Sequence, residues 1–124
     1  MATYEKLLQV GSLVAGADLS SSQHHLVKVS AANTVVLAGA GELAIGVVAN
    51  KPASGEAAEV LAGIIVPVVA GAAVEARAEV ASDASGKAVT ATTGDRVFGV
   101  ALTASSADGE EIRVFTLASK GTSA

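Results

Sequence analysis

Apolar residues recur along the chain in short runs, each bounded by Gly, Ser, Asp or Asn rather than spaced as on an amphipathic helix. His25-Leu-Val-Lys-Val29 sets Leu26 and Lys28 on one face and Val27 and Val29 on the other, the period of a strand. Ala31-Ala-Asn33 reads as a turn, and Thr34 to Ala38 is a β-branched run closed by Gly39 and Gly41. Further strands are predicted near residues 58–61, 87–91, 96–102 and 111–117. Asn50-Lys-Pro-Ala-Ser-Gly55 and Ser82-Asp-Ala-Ser-Gly86 are turn chemistry throughout. In the junction Gly63 to Gly71, Pro67 has no N–H for a ladder and predicts an edge strand or a bulge. The Ala and Glu content of residues 72–81 would suit a helix. Yet Val74, Ala76, Ala78 and Val80 alternate with Glu75, Arg77 and Glu79, and this period predicts β over the whole segment.

The pattern is written twice. Gly41-Glu-Leu-Ala-Ile-Gly-Val-Val-Ala49 returns as Gly94-Asp-Arg-Val-Phe-Gly-Val-Ala-Leu102, each a Gly plus an acid leading into an apolar run with a central Gly. Each copy is followed by a turn with another Gly-Glu, at Gly55-Glu56 and Gly109-Glu110, and then by a short strand. Upstream, Val14-Ala-Gly-Ala-Asp-Leu19 matches Val69-Ala-Gly-Ala-Ala-Val74. Residues 14–61 and 69–115 therefore read as two copies of one β unit. Many short strands separated by Gly, Ser and Asp turns predict an all-β fold, a small β-sandwich or barrel-like domain built from two similar β units. The domain is expected over residues 13–117. An N-terminal arm (residues 1–12) precedes it as a first edge strand or a strap onto a neighbour, and a flexible tail (118–124) follows. The arm carries Tyr4, Leu7, Leu8 and Val10, apolar groups that a free segment would rarely keep exposed, and these are the expected contacts to a partner surface or another subunit.

Composition narrows the function. A chain of 124 residues is one domain's worth, and without cysteine it has neither a disulfide framework nor a Cys-based metal site. One Tyr, two Phe and no Trp leave the core to Val, Leu, Ile and Ala, while the mean hydropathy is positive at +0.54. That excess reads as surface for other subunits. A net charge of −4 with scattered basic residues and no aromatic platforms argues against nucleic acid. No apolar run approaches the ~20 residues of a membrane span, and the start, Met-Ala-Thr-Tyr-Glu-Lys-Leu-Leu, shows no secretory pattern. An intracellular, soluble setting is expected, with no membrane partner.

Candidate chemistry is thin. Val35-Val-Leu-Ala-Gly-Ala-Gly-Glu-Leu-Ala44 fits a dinucleotide fingerprint, but that mechanism needs a helix to begin at the second Gly, and strand formers follow instead. His24 and His25 are the only histidines, and as strand neighbours they cannot chelate together, so no metal ligand set and no cofactor is expected. Neither a nucleophile motif nor a small-molecule substrate site is visible, and the paired acids Glu110-Glu111 read as a solvated strand start. Lys51 sits in a turn as the modified lysine of lipoyl domains does, but Asn50 and Pro52 do not fit its flanks. No enzyme is predicted.

Several stretches stand in one order: Asp18-Leu-Ser-Ser-Ser-Gln23, residues 35–46, Asn50-Lys-Pro-Ala-Ser-Gly-Glu56, Val68-Val-Ala-Gly-Ala-Ala-Val74, residues 80–89 and residues 94–102. This ordered set resembles the capsid decoration (cement) proteins of tailed bacteriophages over residues 14–117. The chain departs at Ala76-Arg-Ala-Glu79, where such proteins commonly carry Ala-Gly-Asp; the missing Gly puts the turn near Arg77 in question. The resemblance implies a non-enzymatic virion protein made in the host bacterial cytoplasm. It would bind the outer surface of an expanded head, partner the major capsid protein, and clamp neighbouring subunits against internal DNA pressure as a homotrimer. The competing class is a virion fibre, tail or other surface-binding β module, although sugar binding would want more exposed aromatics than this chain has.

Overall fold

In a computed structural model, residues 7–116 and 121–122 are described, with side chains from Leu13 to Thr116. Unit one contains β1 (Leu7–Ala15), β2 (Leu26–Ala31), β3 (Thr34–Leu37), β4 (Gly46–Val48) and β5 (Ala57–Gly63), closed into a barrel in the order β1-β3-β2-β4-β5. Unit two contains β6 (Ile65–Val69), β7 (Glu79–Ser82), β8 (Ala88–Thr90), β9 (Arg96–Val97), β10 (Gly99–Ala101) and β11 (Glu111–Phe115). Five of these form a sheet in the order β6-β11-β10-β7-β8. No α-helix is present among the described residues.

The two units share one connectivity. The antiparallel pairs β1–β5, β2–β3, β2–β4 and β4–β5 are matched by β6–β11, β7–β8, β7–β10 and β10–β11. The parallel contact that closes unit one, Ala15 against Val35, returns as a single parallel bridge between Ala70 and Ala88. Register follows too: Val27 faces Gly46 as Val80 faces Gly99, and Val48 faces Val60 as Ala101 faces Val114. The all-β, two-unit architecture expected from the sequence is thus present. Closure removes the free sheet edges of unit one, while the sheet of unit two keeps β6 and β8 at its ends.

What the sequence repeats as Gly plus an acid is a turn. Gly41, Gly55, Gly94 and Gly109 all have φ between +69° and +96°, the left-handed region open to glycine. The carboxylate next to each accepts a backbone N–H from just upstream: Gly39 to Glu42, Ala53 to Glu56, Thr92 to Asp95 and Ser106 to Glu110, at 2.7–2.9 Å. Each acid satisfies a donor that the turn leaves outside the ladder.

One expectation is corrected. Residues 72–81 are not β throughout: only β7 and an isolated bridge from Val74 to Ser105 are β, and a turn occupies Ala76–Arg77. The turn in question at Arg77 is therefore made, and Arg77 takes φ +80° to make it. Its unit-one counterpart, His24, sits at φ +65°; the His24 N–H donates to the Val48 carbonyl and the Arg77 N–H to the Ala101 carbonyl, both at 2.7 Å. The alternation of small and charged residues misled because Ala76 faces solvent as Glu75 does. Pro67 lies on β6, an edge of the sheet order, as its missing N–H required.

The core is divided. Leu13, Ala15, Leu19, Val27, Val35, Val48, Ala58 and Val60 fill unit one. A second cluster fills unit two and takes in Leu26, Ala38 and Val47 from the outer side of unit one. Leu26 is fully buried at this seam, a burial that stabilises by about 1.5–3 kcal/mol.

Candidate interaction surfaces

No pocket and no group of ligands able to hold a metal is present among the described residues. No helix there is long and apolar enough to cross a membrane. The glycines of the apparent dinucleotide fingerprint make a turn, with Gly41 at φ +69° and no helix starting there. What the molecule presents is surface, and the question becomes which parts of it are built to meet a partner.

Of the residues expected to make contacts, Tyr4 lies outside the described residues. Leu7, Leu8 and Val10 fall on β1, where their backbones pair with Gly63, Ala62 and Val60 of the same chain. A register shift between Val10 and Leu13 bends the strand there. The arm read from the sequence is thus, from Leu7 onward, a strand beside β5. In the segment read as a tail, Gly121–Thr122 form β12, which pairs with β9.

The two histidines, which the sequence showed only as unable to chelate together, link the two units. His24 donates from Nδ1 to the Glu111 carboxylate at 2.5 Å, and its carbonyl accepts the Val69 N–H at 3.0 Å. His25 donates from Nδ1 to the Ser85 carbonyl at 2.8 Å. Around them run Leu26 N–H to Gly86 (2.6 Å), Gly41 N–H to Ser82 (2.9 Å), Arg96 N–H to Gly41 (3.0 Å) and the Ser82 hydroxyl to Ala38 (3.2 Å). Backbone pairing of this kind fixes the units in one relative position. The sequence carried no signal for it beyond the histidines themselves.

Among the described residues, four large apolar side chains are exposed: Val14 (39%), Val29 (53%), Leu43 (51%) and Leu102 (45%). Val14 stands beside Thr34 at the β1–β3 contact, and Val29 lies on β2 next to its register shift. Close to them Lys28 reaches Glu42 at 2.7 Å. That ammonium and the Gly39 N–H hold the Glu42 carboxyl below its ordinary value of 4.5. Glu110 is lowered likewise by the Ser106 N–H and hydroxyl, and Asp18 by the Ser20 hydroxyl and N–H. The carboxylates are occupied in fastening turns rather than gathered for catalysis or metal binding.

Comparison with known proteins places this architecture. A family model described as phage cement protein matches residues 15–116, a span that takes in both units. No curated protein sequence matches the chain. Among solved structures, the chain is similar to the head fiber gp8.5 N base in bacteriophage phi29, with a TM-score of 0.74 and 16% identity, covering 93% of this chain and 98% of that one.

Proposed function

The chain belongs to the phage cement protein family, and from that premise we propose that it binds the outside of an expanded head and clamps neighbouring major capsid subunits. The family is structural and capsid-associated and is not an enzyme class. The finer reading has three parts: attachment to the outer surface after assembly in the bacterial cytoplasm, a homotrimer as the bound form, and Tyr4, Leu7, Leu8 and Val10 among the contacts. The observation that carries it is the family match across both units. The backbone pairing between the two units supports it, because a clamp needs a surface that holds its shape under load.

The test is addition of the purified protein to expanded heads that lack it, followed by pelleting and by the temperature at which the heads release DNA. Binding together with a rise in that temperature is expected. Failure to bind would end the proposal. A second reading is favoured by the shared fold with a head fibre base. A fibre base would bind heads and leave their DNA-release temperature unchanged, so one experiment separates the two.

A further inference from the structure

The two units meet head to tail. On unit one the seam is made by His24, His25, Leu26, Ala38 and Gly41; on unit two by Val69, Ser82, Ser85, Gly86 and Arg96. A twofold arrangement would repeat each seam contact between the counterparts, returning His25–Ser85 as Ala78–Ala32 and Gly41–Ser82 as Gly94–Val29, and no hydrogen bond joins either of those pairs. A contact between unlike surfaces leaves one copy of each surface unused, and such contacts propagate into rings or filaments when the unused surfaces find each other.

The unused surfaces can be named from the shared register. Unit one's counterparts of Val69, Ser82 and Arg96 are Val14, Val29 and Leu43, and those of Ser85 and Gly86 are Ala32 and Asn33. All five are exposed, and they include three of the four large apolar side chains that the described residues leave in solvent. In unit two the same three positions each make a seam hydrogen bond, from the Val69 N–H, the Ser82 hydroxyl and the Arg96 N–H. The Val14 N–H instead donates to Asn33 within unit one and Val29 has no hydroxyl, so the open face is the more apolar of the two. Unit two's counterparts of His25, Ala38 and Gly41 are Ala78, Ala91 and Gly94, small residues that allow close approach, the two alanines half-buried and Gly94 exposed. We propose that the open face of unit one, around Val14, Val29 and Leu43, binds the open face of unit two, around Ala78, Ala91 and Gly94, on a second copy of this chain.

The contact between chains would be weaker than the seam within one. Glu79 stands where Leu26 is buried, and Ala57 stands where Glu111 meets His24, so neither the leucine nor the ion pair is repeated. The inference supplies the surfaces for the self-association proposed above, but it rests on the internal seam and not on capsid binding.

The chain has no cysteine, so an introduced pair reports only its own proximity. Ala32 and Ala78 are the counterparts of Ser85 and His25, which touch at the seam. The full-length A32C/A78C variant, treated with a short bis-maleimide, is expected to give covalent multimers on denaturing gels. H25C/S85C, bridging the internal seam, should close within one chain. Adding V29D or L43D to A32C/A78C should lower the multimer yield at least tenfold. A32C/A78C remaining a single chain while H25C/S85C closes would overturn the proposal, as would a yield indifferent to V29D. Head binding is measured separately: a variant that cross-links but no longer binds heads counts against the capsid reading and supports this one.

Discussion

Gly46 and Gly99 are the central glycines of the duplicated motif, and each faces a carbonyl across the sheet. A Cβ at Gly46 would lie 2.4 Å from the Leu61 oxygen and 3.0 Å from Val60 Cγ1; at Gly99 the distances are 2.5 Å to the Phe115 oxygen and 2.8 Å to Val114 Cγ1. An ordinary carbon–oxygen contact is about 3.3 Å, so alanine must push the strands apart by most of an ångström. No rotamer change relieves this, because the obstacle is backbone. The β4–β5 register rests on Val47–Leu61 and Val48–Val60, and Val48 and Val60 belong to the unit-one core. Overpacking costs about 1–3 kcal/mol and a disturbed ladder bond about 1 kcal/mol, so roughly 3 kcal/mol is expected for G46A and the same for G99A. Gly55 is the control: at φ +87° with no atom within 4 Å, G55A carries only the left-handed penalty of about 1–2 kcal/mol. Urea unfolding reads the difference, since with a slope of about 1–3 kcal/mol per molar the two sheet variants should lose one molar or more of midpoint. If G46A unfolds no earlier than G55A, or if G46A and G99A behave unlike each other, the reading of these glycines as equivalent close-approach points is wrong.

Arg77 holds φ +80° without being glycine. R77G should raise stability by about 0.5–1 kcal/mol in urea melts, the left-handed penalty less glycine's entropy cost; a loss would show that the Arg77 side chain contributes more than its backbone costs. Glu42 and Glu110 are held below 4.5 in the folded chain. Their contribution is therefore present above that value and lost as pH falls through the lowered ones. Melting temperatures should stay level from neutrality to about pH 5 and decline below it, less steeply in E42Q; a flat profile into strong acid would contradict this. Deleting residues 2–10 removes the partners of Val60, Leu61, Ala62 and Gly63 and should lower the melting temperature of the isolated protein by several degrees. Y4A should leave it unchanged and weaken head binding about tenfold, or 1.4 kcal/mol. Unaltered binding would remove Tyr4 from the contact set.

The parts of the fold legible in the sequence are those set by local physics. Glycines followed by acids marked the turns, Pro67 marked an edge, and alternation placed Val27 and Leu26 on opposite faces, which go respectively into the unit-one core and the seam. Alternation could not say that both faces of β2 are covered. It put Leu26 with Lys28, and only the docking of unit two distinguishes a buried Leu26 from a lysine that reaches Glu42 at the surface. Alternation also set Val29 on one face with Val27, yet Val27 is fully buried and Val29 is 53% exposed beside the register shift of β2. In residues 72–81 the period was real in the letters and absent in the chain, since alanine is small enough to sit on either side of a turn.

The differences between the two copies carry information that their likeness does not. Where a position serves the inside of its own unit, the copies agree: Val27 with Val80, Gly46 with Gly99, Val60 with Val114, and the four turn glycines. At several positions that face the seam they part: Leu26 against Glu79, His24 against Arg77, Val29 against Ser82, Leu43 against Arg96, while Val14 repeats Val69 and Ala38 is repeated as Ala91. A symmetric pair of units meeting by a twofold would need no such divergence, because each surface would meet its own kind. A head-to-tail pair needs it, because one copy's surface is covered within the chain and the other's is left to the outside. Leucine at a fully buried position and glutamate at its half-buried counterpart follow from the different surroundings the two positions meet. By the same argument, valine and leucine at the open counterparts of Ser82 and Arg96 run against the expected direction, and apolar groups kept where water should have favoured polar ones mark a surface that is covered in use.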